Sequence, residues 1–428
     1  MTVERPSDTG PCTVVVCKYQ PELLAALLDS PARAGREVDV CLVLERAEVV
    51  YKSPDQALLA RCRKVYTVGS FDSLAELSAV AVDLRLTGAP VIRVCCQDEL
   101  SQFGAGYLRQ LLDDAPPDPR FHVAYRDKRL MKQLVAAAGV PVTGFRSLAD
   151  AHDADTVAAV ARELTAPLIV KPAAGFGTSS TVKVDDPAEL GPAATGLAFD
   201  QAQRSRQLIV EEFVPGDEVC VDAIWSGGKE LTFLVHRYLR PRITVLENAL
   251  DGSIILAPEE HPGLYERLRD MHARINPALG IEDGPTHLEV FSRPDGELVF
   301  SEIATRAGGA WVQYMIGAFH GRSTWSLLAD SVLTGGIPPL NRAKAHIGGV
   351  SIRPTKPGVI TGVPTDEELL AFPGTITWHR RRSIGERARL TGPSDWYFFL
   401  IVGADTAEEL LDTCVRAVRT FTIETDAA

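Results

Sequence analysis

The sequence lacks the features of an exported or membrane-spanning protein. No apolar run reaches the roughly 18 residues that a membrane-spanning helix needs. The first ten residues, MTVERPSDTG, are polar and carry an early acid, so they do not show the basic-then-apolar order of a signal peptide. We therefore expect a cytoplasmic protein without a membrane partner.

The eight cysteines form no CxxC pair, and most of them fall in apolar, strand-like runs. This pattern favours buried thiols in a reducing compartment. Adjacent residues of a strand point to opposite faces, so the neighbours Cys95 and Cys96 do not predict a catalytic cysteine. The cysteines are Cys12, Cys17, Cys41, Cys62, Cys95, Cys96, Cys220 and Cys414.

The chain also lacks the charge of a nucleic-acid-binding protein, since its formal net charge is −12. Hydrophobic residues make up 46% of the sequence, which argues against disorder. Its 428 residues are too many for one hydrophobic core and predict two or three packed domains.

The first hundred residues alternate short apolar strands with helical segments, as in CTVVVC, PELLAALLDS and VDVCLVLE. Such continuous apolar strands predict a parallel sheet covered on both faces, a doubly wound α/β domain that we place at residues 1–118. The turn after its first strand, Lys18 to Pro21, has no GxGxxG, so a dinucleotide fingerprint is missing. The stretch LLDDAPPDPR predicts a linker near residues 112–120.

The rest of the chain predicts antiparallel sheets with helices on one side, which is an α+β pattern. Gly227-Gly228 and Pro294-Asp295-Gly296 read as hairpin turns. We expect two α+β subdomains, at residues 119–206 and 207–338, followed by a small C-terminal subdomain at 339–428.

A loop of small residues follows the apolar strand that ends at Lys171 in IVKPAAGFGTSSTVKV. Small residues let backbone N–H groups approach a phosphate, hydroxyls add donors, and a lysine supplies a positive charge. The loop is not GxxxxGK[ST], and a plain hairpin with a long turn explains it equally well. Its candidate phosphate ligands are Gly175, Gly177, Thr178, Ser179 and Ser180.

A second candidate is the strand segment IVEEFVPGDEV, which delivers Glu211, Glu212, Phe213 and Val214 before the turn at 215–216. The free edge of such a strand can bind an adenine ring, and a nearby acid can accept from its amine. Glu218 would reach a ribose hydroxyl or an ordered phosphate ligand. Taken alone, acids beside a turn are more often solvated.

The strongest candidate is the hairpin HLEVFSRPDGELVFSEIA. Glu289 lies six positions before Asp295, and Glu302 lies six after Gly296. A turn centred on 295–296 would place the two carboxylates opposite each other on one face. Mg²⁺ bound to phosphates would neutralise this pair, whereas an ion pair with lysine or arginine is the simpler alternative. Arg306 and the pair Gly308-Gly309 follow, and they suit a carboxylate or acyl phosphate.

These motifs together resemble the ATP-grasp superfamily, and most of all its L-amino acid ligases, over essentially the whole chain. The resemblance implies ATP and Mg²⁺ as cofactors, and an amide bond formed through an acyl phosphate between a small carboxylic acid and an amine. Lys128 and Lys171 would contact phosphates beneath the lid at 175–180. Glu211 would bind the adenine amine, and the backbone at 213–214 the ring edge.

The same resemblance assigns the magnesium site to Glu289 and Glu302, and the grip on the reacting carboxyl group to Arg306, Gly308 and Gly309. It also implies a homodimer. The base for the amine is left open between His287 and substrate phosphate, while a structural histidine explains His287 equally well. Candidate residues of the acceptor pocket are His236, His287, Arg306, Trp311, Gln313 and Tyr314, with core packing as the alternative for the aromatic ones.

Two positions depart from the family pattern. Ala304 stands where an Asn or Asp often follows the second metal acid, so one metal ion would be held less fully, or by another side chain such as His287. Ser180 ends the lid where glycine is usual, which puts the flexibility of the lid in doubt. Competing hypotheses are a bicarbonate-activating enzyme of the biotin carboxylase type, whose Gln-Val-Glu-His run is missing here, and a non-catalytic nucleotide-binding module.

Overall fold

The computed structural model describes residues 10–31, 37–114, 118–199, 205–245, 250–342, 344, 346–390, 392 and 395–426. The central residues of the predicted linker, 115–117, lie outside these ranges. None of the helices described is long and apolar enough to cross a membrane.

The N-terminal part is the predicted parallel α/β unit. Its elements are β1 (Cys12–Cys17), α1 (Pro21–Asp29), β2 (Val38–Glu45), α2 (Arg46–Tyr51), α3 (Gln56–Leu59), β3 (Lys64–Val68), α4 (Leu74–Thr87), β4 (Val91–Cys96) and α5 (Gln102–Leu111). The strands pair in parallel in the order β3-β2-β1-β4. Alternate residues of β1 enter two different cores, so the sheet is covered on both faces, as predicted.

The next segment forms a small antiparallel sheet and four helices. Its elements are α6 (Arg120–Ala124), α7 (Lys128–Ala137), β5 (Phe145–Leu148), α8 (Ala154–Glu163), β6 (Leu168–Pro172), β7 (Val182–Val184), α9 (Leu190–Thr195) and β8 (Leu208–Glu212). Helix α7 begins at an Asp127 side chain that accepts from Arg129 N, and Gly139 adopts a left-handed φ of 77° just past its end.

The remaining elements build a large eight-stranded sheet, a small three-stranded sheet and their helices. They are β9 (Asp217–Ser226), β10 (Lys229–Tyr238), β11 (Asp251–Ile255), α10 (Pro262–Ala278), β12 (Gly284–Ser292), β13 (Leu298–Ala304), α11 (Val312–His320), α12 (Thr324–Thr334), β14 (His346–Ile352), β15 (Gly358–Gly362), α13 (Asp366–Ala371), β16 (Thr375–Arg380), β17 (Arg387–Ala388), β18 (Phe398–Ala404), α14 (Ala407–Thr420) and β19 (Glu424–Asp426).

Two of the predicted domain bounds do not coincide with sheet boundaries. Strand β8 lies after residue 206, yet it is the second strand of the small sheet, whose order is β5-β8-β6-β7. Strands β14, β18 and β16 lie after residue 338, yet they continue the eight-stranded sheet β13-β12-β9-β10-β11-β14-β18-β16. Strand pairing therefore joins the predicted C-terminal subdomain to the central one.

The cysteines are free thiols, and seven of the eight are buried, the exception being the partly exposed Cys62. Burial raises the pKa of Cys95 and of Cys96 to about 12, with Asp114 and Asp98 respectively adding to the rise. These thiols are therefore protonated near neutral pH, which agrees with the expectation that they are not catalytic.

Candidate active site

A cavity lies between the small sheet and the large sheet, and most of the predicted site residues line it. The predicted residues in its wall are Lys128, Lys171, Gly175, Gly177, Thr178, Ser179, Glu211, Glu212, Phe213, Val214, Glu218, His287, Glu289, Glu302, Arg306, Gly309 and Trp311. The lining does not include Ser180, His236, Gly308, Gln313 or Tyr314. Residues that are far apart in the sequence thus line the same cavity.

The two glutamates of the predicted metal pair are direct partners across β12 and β13. The turn is longer than predicted, because Arg293 N donates to Glu297 O and Ser292 pairs with Leu298. A bulge between Glu289 and Val290 then shifts the register by one residue and restores the pairing of Glu289 with Glu302.

Glu302 is ionised within a cluster of lysines. Lys128 Nζ lies 2.9 Å from Glu302 Oε2, and Lys171 Nζ lies 3.1 Å from Glu211 Oε2. Burial by itself would raise the pKa of Glu302, but the charges of Lys128 and Lys171 outweigh it and hold the pKa at about 2. The cluster therefore combines lysines suited to phosphates with a carboxylate ready to bind a cation.

Sequence reasoning missed Lys132, which lies one turn beyond Lys128 on α7 and is fully buried. Its Nζ donates to Thr143 Oγ1 and Ser301 O, and it lies 3.4 Å from Glu211 Oε1. Burial lowers its pKa to about 8, against the opposing charge of Glu211. A spacing of four residues places Lys132 on the same helix face as Lys128, and this was the sequence signal that could have identified it.

The loop at 175–180 closes one end of the cavity. Lys128 Nζ donates to Gly175 O at 3.0 Å, and Arg126 donates to the carbonyls of Ala174 and Gly175. Gly177, Thr178 and Ser180 adopt left-handed φ values of 56°, 59° and 56°. Ser180 Oγ donates to Ala198 O, so this departure from the usual glycine is anchored outside the cavity.

The segment Glu211–Val214 divides its side chains between two environments. Glu211 is buried against Lys171 and Lys132, and its Oε1 makes no hydrogen bond with the part of the chain that the structure describes. The Glu212 carboxylate instead accepts from Thr165 N at 2.8 Å, away from Glu211. Phe213 N donates to Pro167 O, so its N–H is engaged in tying this segment to the small sheet.

Glu218 faces the cavity from the start of β9 and accepts from Arg242 N at 3.1 Å. Burial raises its pKa to about 7, and the neighbouring charge of Glu289 adds to the rise. Near neutral pH this carboxyl group is therefore divided between its protonated and ionised forms, unlike Glu302.

Arg306 lies against a carboxylate that sequence reasoning missed. Its Nε donates to Glu99, which follows β4 in the N-terminal part, and Glu99 also pairs with Arg126. Arg126 in turn holds the carbonyls at the base of the loop 175–180. Glu99 thus connects the predicted carboxyl-binding arginine to the predicted lid. A separation of 207 residues gave no local signal for this contact.

Gly308 and His287 both contact Asp222, a buried residue of β9 that was also missed. Gly308 N donates to Asp222 Oδ1 at 2.9 Å, while His287 Nδ1 and His236 Nε2 lie 3.0 and 2.9 Å from Oδ2. Burial would raise the pKa of Asp222, but the two histidines lower it well below its usual range. A Cβ on Gly308 would lie 2.7 Å from Asp222 Oδ1, so only glycine permits this approach.

The candidate acceptor residues have different surroundings. Trp311 lines the cavity and donates from Nε1 to Ser253 Oγ at 2.7 Å. Gln313 O accepts from Thr324 Oγ1, and the Tyr314 ring stacks on His379. His236 is fully buried behind Asp222. The structure therefore favours core packing for His236 and Tyr314, and leaves Trp311 and Arg306 in contact with the cavity.

The side chains present fit Mg²⁺ and a nucleotide. Glu289 and Glu302 face one cavity as paired oxygen donors, which is the set that Mg²⁺ accepts together with phosphates and water. The lysines of this wall and the small residues of the loop provide donors for phosphates. A Cβ on Gly309 would meet no atom of the described residues within 4 Å, so the backbone here is open to a ligand.

Comparison with known proteins agrees with this geometry. Residues 164–314 match the ATP-grasp domain. The chain is 26% identical over 341 residues to the L-arginine-specific L-amino acid ligase of Bacillus subtilis, an alignment that covers 76% of this chain and 80% of the relative. It is 29% identical over 191 residues to D-alanine–D-alanine ligase A of Chromobacterium violaceum, covering 42% of this chain and 50% of the relative.

The fold is also that of a solved ligase structure. The crystal structure of an L-amino acid ligase from Bacillus licheniformis superposes with a TM-score of 0.74 at 18% identity, over 97% of this chain and 99% of the other. The protein therefore carries an ATP-grasp domain at residues 164–314 within an ATP-grasp fold, and it is similar to the L-amino acid ligases and D-alanine–D-alanine ligases.

Proposed function

We propose that the protein uses ATP to join a small carboxylic acid to an amine through an acyl phosphate, releasing ADP and phosphate. Amino acids or closely related acids are the proposed substrates, by analogy with the L-amino acid ligases it resembles. The observation that carries this proposal is the opposed pair Glu289 and Glu302, which shares one cavity with Lys128, Lys171 and Arg306.

The first step is phosphoryl transfer. An oxygen of the substrate carboxylate attacks the γ-phosphorus of ATP, the bond from that phosphorus to the bridging oxygen breaks, and ADP leaves. Such transfers need positioning and charge neutralisation more than covalent help from the protein. Lys128 and Lys171 would bind the phosphate oxygens. Mg²⁺ held by Glu289 and Glu302 would supply further neutralisation of the phosphate charge.

The second step forms the amide. The amine nitrogen attacks the acyl carbon, the phosphate leaves with the electrons of the carbon–oxygen bond, and the proton that the nitrogen gives up goes to this departing phosphate. Arg306 would stabilise the oxyanion of the tetrahedral intermediate, since a guanidinium offers paired N–H donors. The loop at 175–180 would exclude water that otherwise hydrolyses the acyl phosphate.

A product assay tests this proposal directly. Purified protein with Mg-ATP and pairs of amino acids should release ADP and phosphate in equal amounts and form a condensed product visible by mass spectrometry. Release of AMP and pyrophosphate would refute the acyl-phosphate route. ADP release that requires bicarbonate would favour a carboxylase instead, and tight ATP binding without turnover on a wide panel would favour a binding module.

We also propose a homodimer located in the cytoplasm, by analogy with the family. Light scattering of the purified protein would give twice the 46.3 kDa mass of one chain. A monomer at micromolar concentration would contradict the dimer and leave the proposed chemistry untouched.

A further inference from the structure

His287 lies across the hairpin from Ala304, the position where the family pattern often has an Asn or Asp. His287 and Ala304 are direct partners across β12 and β13, two pairs along the ladder from Glu289 and Glu302. Residues two apart on a strand share a face, so His287 lies on the same face as Glu289, and both line the cavity. An imidazole therefore lies across the ladder from the small side chain of Ala304.

Asp222 fixes which nitrogen of His287 faces the cavity cation site. An ionised carboxylate only accepts hydrogen bonds, so the Nδ1 atom 3.0 Å from Asp222 Oδ2 is the one that carries a proton. The other nitrogen, Nε2, lies 3.4 Å from Glu289 Oε1. Metal-binding histidines usually donate their second ring N–H to a carboxylate in this way, which sets the orientation of the ring.

Three buried groups, Asp222, His236 and His287, are also close enough together to suggest a separate metal site. However, both histidines approach the same oxygen of Asp222 at hydrogen-bond distance, and its second oxygen accepts from Gly308 N. Asp222 is thus already bonded by three donors. The nitrogen of this cluster that remains beside the cavity carboxylates is Nε2 of His287.

We propose that His287 is a third protein ligand of the divalent cation in this site, bound through Nε2 and oriented by Asp222, in place of the side chain missing at Ala304. This inference rests on the proposed function, because it assumes a cation at Glu289 and Glu302. An imidazole ligand favours transition-metal dications over Mg²⁺ more than an oxygen ligand does. The site is therefore suited to Mn²⁺ as well as to Mg²⁺.

Pulsed electron paramagnetic resonance of Mn²⁺ and ADP bound to the full chain tests the proposal without relying on turnover. The wild-type spectrum should show the ¹⁴N coupling of a directly bonded imidazole. Labelling the protein with ¹⁵N-histidine should replace this ¹⁴N coupling with a ¹⁵N coupling. In His287→Asn the coupling should vanish, and the Mn²⁺ affinity should fall about 10-fold or more. The matched control is His236→Asn, which alters the same Asp222 cluster away from the cavity and should keep the coupling.

The outcomes of this experiment distinguish a failure of the histidine ligand from a failure of the proposed function. Wild-type protein that binds Mn²⁺ and ADP but shows no histidine coupling would overturn this inference alone, as would a coupling that survives in His287→Asn. Wild-type protein that binds no Mn²⁺–ADP at all would contradict both this inference and the proposed function. If His287→Asn does not fold, the wild-type spectrum with ¹⁵N-histidine still decides the matter.

Discussion

At the scale of single residues, the site depends on a few close contacts that a larger side chain or a change of charge would break. Gly308 lies close enough to Asp222 for its N–H to bond that carboxylate, and Glu302 is held ionised between lysines. The hairpin pattern predicted Glu302, the end of an apolar strand predicted Lys171, and the glycine pair predicted Arg306. Lys128 was predicted only by the family resemblance. The sequence did not predict Asp222 or Glu99, because the site residues that they contact, His287 and Arg306, lie 65 and 207 residues away from them.

Gly308→Ala should destabilise the protein and impair turnover. Its Cβ would lie 2.5 Å from Val312 Cγ1 and 2.7 Å from Asp222 Oδ1, so we expect a loss of about 1–3 kcal/mol in the free energy of unfolding. Gly309→Ala is the matched control, since among the residues that the structure describes its Cβ meets no atom within 4 Å. Chemical denaturation of both variants measures the difference, and equal stability would contradict this explanation of the glycine.

Glu302→Gln should lower turnover by more than about 100-fold while leaving the fold intact, because a neutral amide is a poor ligand for a cation beside phosphates. Glu297→Gln changes an exposed glutamate of the same hairpin, which pairs with Arg293, and should keep full activity. Steady-state ADP release measures both variants. Full turnover in Glu302→Gln would remove the metal assignment.

At the scale of elements, a hairpin and a loop determine the geometry of the site. The strand pattern predicted that Glu289 faces Glu302, but the longer turn and the bulge that compensates for it were not predictable, because neither changes the apolar alternation enough to be seen. The loop at 175–180 was predicted from its small residues. The attachment of this loop through Arg126 depends on tertiary packing, so no local sequence pattern predicted it.

Arg126→Gln should loosen the loop at 175–180. The guanidinium donates to Ala174 O and Gly175 O, and a glutamine cannot make both of these bonds and the ion pair with Glu99. We expect limited proteolysis within the loop to become several-fold faster and nucleotide affinity to fall. Arg129→Gln removes a partly exposed arginine of α7 that pairs with Asp127, and its cleavage rate should match that of the wild type.

At the scale of the whole molecule, two sheets enclose the cavity, and the N-terminal part contributes Glu99 to its wall through Arg306. The α/β and α+β regions were predicted from hydrophobic periodicity. The continuity of the eight-stranded sheet across residue 338 was not, because strand order between distant segments is set by packing and not by local pattern.

The free energy of unfolding should fall as the pH is lowered from about 6.5 to about 4. Burial between Trp225 and Phe233 lowers the pKa of His272 to about 4, so the unfolded chain binds a proton in this range that the folded chain does not. His272→Gln should reduce the slope of the free energy of unfolding against pH by up to about 1.4 kcal/mol per pH unit. Denaturant titrations of the wild type and the variant across this pH range measure the difference, and equal slopes would contradict this role of His272.

The most direct test of the central claim follows an oxygen atom. A substrate acid labelled with ¹⁸O in its carboxyl group, incubated with the protein, Mg-ATP and an acceptor amine, should transfer one ¹⁸O into the phosphate that is released, because the acyl phosphate breaks at the carbon–oxygen bond. Mass spectrometry of the phosphate measures this transfer. Labelled phosphate in step with amide formation is the predicted result, and amide formation with unlabelled phosphate would contradict the account.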